Sequence, residues 1–306
     1  MSSQIRILEN SQIDKLKWDK VVYRSTFANY SLKSYFLDAI FPKWKALVYG
    51  DYEYIFPLTS DAKFRVKYFI TPIFVPYIGI CSRNQDYTEI ISDFIKVIKK
   101  QSRYVDIYLD PHTSRFLKGF SFNKRKCQVL NLDAPYFEIK SNYSSNLKRN
   151  LMKAKKNQLS TIESKDVDVF IDLFKSNKGA QLKELKDTNF LALSKALNKT
   201  IENKDGFLLN CYYEKELISS AFFVIFRNRI TYLKGFSNIE GRKKGAMHYI
   251  LDQLISKYSH QDFIFDFGGS NTDQVARFNY SFGAKDIFYV NYKENRLPFL
   301  LKLFKS

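Results

Sequence analysis

The sequence predicts an α+β fold in which one arrangement of strands and helix occurs twice, each copy a mixed, mostly antiparallel sheet flanked by helices. Three observations carry that expectation. Strand-like segments, alternating in pattern and rich in aromatic and β-branched residues, fall in two groups of three. Each group is followed by an amphipathic helical stretch and then by one more strand. At about 150 residues per domain, the 306 residues are enough for two domains.

The first group is Lys45–Tyr49, Tyr52–Leu58 and Phe64–Ile70, with Gly50-Asp51 as the hairpin turn between the first two. Tyr87–Lys100 then reads as a helix, because Ile90, Ile91, Phe94, Ile95, Val97 and Ile98 share one side. Tyr104–Leu109 reads as a strand and ends at Asp110-Pro111. The second group is Phe207–Tyr213, Leu217–Phe226 and Ile230–Gly235, turned at Glu214-Lys215 and Arg227-Asn228. Met247–Tyr258 is its helix and Phe263–Phe267 its last strand. Residue identity between the halves is slight, so the repeat is one of pattern, and a single mixed sheet is the competing arrangement. Between the groups, 144–204 reads as a helical insertion, interrupted at Lys178-Gly179 and Lys186-Asp187. The expected domains are 1–140 and 141–306, the second carrying this insertion.

Composition narrows the function classes. Hydrophobic residues at 45% and charged residues at 26% fit a folded globular protein and exclude a fibre or a disordered tail. Lys and Arg number 49 against 31 Asp and Glu, a formal charge of +18. Abundant Lys, Tyr, Phe, Ile and Asn together are what an AT-rich genome produces, so part of this charge is compositional. The remainder favours phosphates, nucleic acid or an anionic membrane surface. The opening segment lacks an apolar core of the signal-peptide kind. The longest apolar run, Phe69–Ile80, is broken by Thr71, Pro72 and Pro76, so no membrane-spanning helix is expected. Three scattered cysteines (Cys81, Cys127, Cys211) and three histidines make neither a disulfide framework nor a zinc site. The expectation is a cytoplasmic protein without a metal.

Three segments carry candidate chemistry. Ser141–Ser160 holds Lys148, Arg149, Lys153, Lys155 and Lys156, with no acid between Glu138 and Glu163. Leu147, Leu151 and Ala154 form a narrow apolar stripe, and Ser144 or Ser145 is placed to cap the helix. The bland reading is a solvated face, and the functional one an anion-binding helix. Gly235–Tyr249 joins a strand to a helix through Gly241, Arg242, Lys243, Lys244, Gly245 and Ala246. Glycines admit a ligand close to the backbone, and a helix start presents N–H groups to a phosphate. Neither GxxxxGK[ST] nor GxGxxG is present, and the plain alternative is a basic turn in water. In Phe263–Ala284, Asp266 ends an apolar strand, and Gly268, Gly269 and Ser270 open the next helix. Asp266 reads equally as a general base and as a cap of the following loop. His112, His248 and His260 complete no Ser–His–Asp arrangement.

Taken in order, these segments resemble the Fem-type acyltransferases, which are built from tandem acetyltransferase-like (GNAT-like) domains. The resemblance rests on Leu147-Lys148-Arg149-Asn150-Leu151-Met152-Lys153-Ala154, on Arg242-Lys243-Lys244-Gly245-Ala246, on Asp266-Phe267-Gly268-Gly269-Ser270, and on Ala276-Arg277-Phe278-Asn279-Tyr280-Ser281-Phe282-Gly283-Ala284. It implies transfer of an acyl or aminoacyl group from acyl-CoA or an aminoacyl-tRNA to an amine, without a metal. The acceptor would be a small molecule or a cell-envelope precursor. By that resemblance Arg242–Ala246 hold the donor phosphates, and Lys148 and Arg149 hold a phosphate of donor or acceptor. Gly268, Gly269 and Ser270 make room for substrate, and Asp266 and Asn279 stand near the reacting centre. Many members have lysine where this chain has Asn279, which donates a hydrogen bond but brings no positive charge; Arg277 is the candidate to supply it. The competing reading is a non-catalytic RNA- or tRNA-binding module that keeps the fold. Arg296–Ser306, apolar and basic, is a candidate for peripheral membrane contact or a docking helix.

Overall fold

The structure, a computed structural model, describes residues 5–63, 66–117, 122–177, 185–268 and 272–298. The chain divides into two compact units, Met1–Arg125 with Phe288–Ser306, and Lys126–Ile287. The first unit contains β1 (Arg6–Leu8), α1 (Lys15–Arg24), α2 (Ser34–Ile40), β2 (Lys45–Tyr49), β3 (Tyr54–Leu58), β4 (Ser60–Lys63), β5 (Val66–Ile70), β6 (Cys81–Ser82), α3 (Ile90–Gln101), β7 (Tyr104–Leu109) and α4 (Pro111–Arg115). The chain passes into the second unit along β8 (Phe122–Asn131). There follow α5 (Tyr136–Ser141), α6 (Ser145–Lys156), β9 (Ser160–Ser164), α7 (Val167–Asn177), α8 (Asp187–Glu202), β10 (Gly206–Tyr213), β11 (Glu216–Phe226) and β12 (Arg229–Ser237). The unit closes with α9 (Ile239–Lys244), α10 (Ala246–Tyr258), β13 (Ile264–Asp266) and α11 (Asp273–Tyr280), and β14 (Lys285–Asn295) carries the chain back.

The expected repetition is visible in the pairing. In the first unit, β5 and β7 are parallel neighbours joined through α3. In the second, β12 and β13 are parallel neighbours joined through α10. A parallel pair needs a crossover of this length, and a helix is its usual form. The remaining pairs within each unit are antiparallel. The second unit's sheet runs β8-β13-β12-β11-β10-β9. Its core is packed by Phe223, Ile230, Ile250, Leu254 and Phe265, each fully or almost fully buried. At roughly 2 kcal/mol for each such side chain, this packing holds α10 against the sheet.

By contacts the chain divides at 125/126, where the sequence suggests 140/141: the end of β8 pairs with β13, and Val290–Asn295 of β14 pairs with β7 in the first unit. The insertion 144–204 is not wholly helical: β9 lies between α6 and α7 and pairs with β10 from Ser160 to Ser164. The break foreseen at Lys186-Asp187 is the start of α8, and the one at Lys178-Gly179 lies outside the described residues.

Candidate functional site

Among the described residues, the second unit shows an opening where its parallel pair ends. Arg229–Thr231 pair with Ile264–Asp266, after which β13 ends while β12 runs on to Ser237. The register of β12 against β11 jumps there, from Tyr232 opposite Phe223 to Lys234 opposite Phe222, so Leu233 is a bulge. A bulge bends its strand and re-aims the backbone beyond it. The chain leaving β13 passes close by: a Cβ on Gly268 would stand 2.7 Å from the Tyr232 carbonyl oxygen, and Gly268 has φ +77°. Only glycine fits that combination without strain.

Asp266 anchors the departure point. Its Oδ2 accepts Arg229 Nη1 at 2.8 Å and its Oδ1 accepts the Gly268 N–H at 2.9 Å. Both oxygens are thus engaged, and the carboxylate caps the loop, one of the two roles the sequence left open. Asn279, 1% exposed, donates from Nδ2 to Gln128 Oε1 at 2.9 Å. Gln128 in turn donates to Asp286, which also accepts the Tyr280 hydroxyl. These bonds, Gln128's first, hold the Asp286 carboxyl below its ordinary range. Arg277 is exposed. Gly269 and Ser270 lie outside the described residues.

The basic turn lies where β12 ends. Asn238 caps α9 by accepting the Gly241 N–H. Gly245 ends α9 in the left-handed conformation, φ +76°, and starts α10 with no side-chain cap on the new helix. The first-turn N–H groups of α10, with the helix dipole, present partial positive charge there. A Cβ on Gly245 would stand 2.9 Å from the Asn150 carbonyl oxygen of α6, and one on Gly241 2.3 Å from that of Ile218. The turn is therefore seated against both β11 and α6.

Seating divides the cations. Lys244 Nζ donates to Asn157 Oδ1 at 2.9 Å and lies 3.9 Å over the Tyr213 ring. It ties the turn to the end of α6 rather than facing a ligand. Arg242 is exposed and bonded to the Ser237 carbonyl, and exposed Lys243 pairs with Glu240. Ala246 is buried at the start of α10. On α6, Ser144 is the cap, Leu147 and Ala154 are buried, and Lys148 and Arg149 are exposed beside Asn150. The two basic segments flagged by sequence are thus brought together.

FemX aligns with this structure at a TM-score of 0.70 and 12% identity, over 98% of this chain and 100% of that one. The chain has the fold of FemX. The C-terminal domain of a putative lysylphosphatidylglycerol synthetase from Agrobacterium fabrum aligns at 0.61 and 10% identity, over 96% and 95% of the two chains. The L-PGS structure from Bacillus licheniformis aligns at 0.58 and 10% identity, over 95% of each. No protein-family model and no curated protein sequence matches the chain. The expected α+β class and the resemblance to a Fem-type fold are borne out.

Within this FemX-like fold, three residues around the opening escaped the sequence reading. Gln128 lies in a strand and Arg229 follows a turn, and neither stands in a pattern that marks a buried partner. His248 lies on α10. Its ring lies 4.8 Å from that of Phe278 and 6.2 Å from that of Phe282, and burial pushes its pKa down to about 4. It is a neutral packing group at pH 7. Among the described residues no helix is long and apolar enough to cross a membrane.

Proposed function

We propose that this protein is an acyltransferase, moving an acyl or aminoacyl group from a CoA- or tRNA-linked donor to an amine. The observation that carries the reading is the opening where β12 outruns β13, bulged at Leu233 and ending in the glycine-seated basic turn. Beyond Thr231 no described strand pairs with β12 on its β13 side, and such an edge offers N–H and C=O groups at alternate residues, to which an extended donor arm can bond. Arg242 and Lys243, with the first N–H groups of α10, are placed to hold the donor's phosphates, and exposed Lys148 and Arg149 extend that charge.

The reaction needs an unprotonated amine whose lone pair attacks the donor carbonyl. The tetrahedral intermediate then collapses with loss of the thiolate or the tRNA 3′-oxygen, and the amine proton passes to solvent. Holding amine and carbonyl together supplies much of the acceleration, and backbone N–H groups stabilise the oxyanion. In this reading Asp266 positions the loop through Arg229 and Gly268, and Asn279 holds α11 through Gln128. The lysylphosphatidylglycerol synthetase fold-relatives are named for a product in which lysine is joined to a lipid, which agrees with group transfer. A cell-envelope amine is the acceptor we favour.

Ligand-induced stabilisation tests it. A compound that binds the native state alone raises the melting temperature. A salt-resistant rise with acetyl-CoA or CoA, reduced in the Arg242→Ala, Lys243→Ala double variant, supports an acyl-CoA donor. A rise with aminoacyl-tRNA, followed by transfer of its labelled aminoacyl group to an added amine, supports the tRNA donor. Absence of transfer from either donor would overturn the reading.

A further inference from the structure

A cavity of about 550 Å³ opens on the second unit between α5, α6 and α10. Its lining includes Tyr136, Lys140, Lys155 and Asp252. Asp252 is 5% exposed, and its Oδ1 accepts the Tyr136 hydroxyl at 2.8 Å. Among the described residues no cation stands within ion-pair distance of it, and the Lys140 charge acts on it only from further off, although a carboxylate buried to this extent is rarely left without a paired cation. A second hydroxyl, that of Tyr143, is buried on the same carboxylate. Burial first, and then the Asp252 charge, keeps it protonated. At the rim, Lys140 Nζ lies 5.2 Å over the Tyr136 ring, and Lys140 and Lys155 are exposed.

The groups run from a buried carboxyl without a paired cation at the floor to two cations at the mouth. A complementary ligand is positive at its inner end and negative at its outer end. Two flexible ammonium groups can each bond a different oxygen of a phosphate, which offers more acceptor oxygens and more charge than a carboxylate. We propose that this cavity binds a small zwitterion bearing a primary ammonium and a phosphate, the ammonium against Asp252 and the phosphate between Lys140 and Lys155. One carboxylate and two lysines together carry a single positive charge, and a phosphate dianion joined to an ammonium carries a single negative one. The site's charge is then closed by the ligand. This inference does not depend on the acyl-transfer reading.

Titration calorimetry with phosphoethanolamine tests it, with ethanolamine and glycerol phosphate as the two half-ligands. Phosphoethanolamine should bind at least about tenfold tighter than either half, because each half lacks one charge-assisted contact. Asp252→Asn keeps an acceptor for Tyr136 and should reduce phosphoethanolamine to the affinity of glycerol phosphate. Lys140→Ala with Lys155→Ala should reduce it to that of ethanolamine. If Asp252→Asn fails to fold, the exposed lysine pair still decides. Sedimentation with phosphatidylethanolamine-containing vesicles, against pure phosphatidylcholine vesicles, separates the two sources of the group. Retention on the former alone places the zwitterion on a lipid, whereas binding of free phosphoethanolamine alone places it on a soluble metabolite. Equal or absent binding of all three soluble probes, together with no preference between vesicles, overturns the proposal. So does phosphoethanolamine binding that both sets of substitutions leave unchanged.

Discussion

Asp110 gives the sharpest quantitative test of the first unit. It caps α4 and is 3% exposed, and its Oδ1 accepts the N–H groups of His112 at 2.8 Å and Thr113 at 2.9 Å. Its other oxygen lies against Gly79, where a Cβ would fall 1.6 Å from Oδ2. Burial raises its pKa from 3.8 to about 6 in spite of those bonds. The folded state therefore binds this proton more tightly than the unfolded chain does. The resulting stabilisation is complete below pH 4 and is lost as the pH rises through 6. The interval between the two values corresponds to about 3 kcal/mol. Asp110→Asn keeps the acceptor oxygen and abolishes the titration. Its stability relative to the wild type should therefore rise by about 2.4 kcal/mol between pH 4 and pH 7. Urea unfolding of both proteins at several pH values and constant ionic strength measures this difference. Other shifted carboxyls, Asp19 and Asp252 raised and Asp38 and Glu294 lowered, contribute equally to both proteins and cancel. A stability difference that does not change with pH would refute the reasoning.

Gly245→Ala forces a side chain into the left-handed region and against the Asn150 carbonyl, so unfolding stability should fall by about 2 kcal/mol. An unchanged urea midpoint would mean the turn is not seated on α6 as described. Arg242→Ala with Lys243→Ala touches exposed side chains only and should leave stability within about 0.5 kcal/mol. Its donor-induced rise in melting temperature should shrink by more than half, and an undiminished rise would move the phosphate site elsewhere. Asn279→Lys places an ammonium at a 1% exposed position and breaks the bond to Gln128. It should cost about 3 kcal/mol in a thermal or urea melt. A fully stable variant with enhanced aminoacyl transfer would show instead that residue 279 reaches the reacting groups.

The elements legible in the sequence are those whose pattern is local. Lys45–Tyr49 and Tyr104–Leu109 are strands with the expected ends, and the helix expected at Met247–Tyr258 begins one residue earlier, at the buried Ala246. In the last two, alternation or helical spacing of apolar residues records which face is buried, and Lys45–Tyr49 is a short apolar run buried on both faces. β9 fails that test. Its segment, Ser160-Thr161-Ile162-Glu163-Ser164, has a single aliphatic residue, and Ile162 is 59% exposed. Pairing with β10 rather than burial makes it a strand. The boundary between units is non-local for the same reason, since it depends on β14 returning to β7 from the far end of the chain.

The site was legible in residue type but not in role. Arg242, Lys243 and Lys244 are consecutive cations, and only the packing of the turn assigns Lys244 inward to Asn157 and Tyr213 while Arg242 and Lys243 stay exposed. Asp266 is an acid at a strand end in either of its two readings; its bond to Arg229, distant in sequence, is visible only in the fold. This has a consequence for the chemistry. Glu240 is paired with Lys243 and held below its ordinary range, and the half-buried His248 has its pKa pushed down to about 4. Neither group is suited to take a proton from the attacking amine near neutral pH. If the opening carries out acyl transfer, the fraction of neutral amine must then come from the acceptor's own equilibrium. The rate should rise with pH along the titration of the acceptor amine and should move with that pKa when a less basic amine is substituted. A pH–rate profile that stays fixed while the acceptor pKa changes would instead require an enzyme base outside this set.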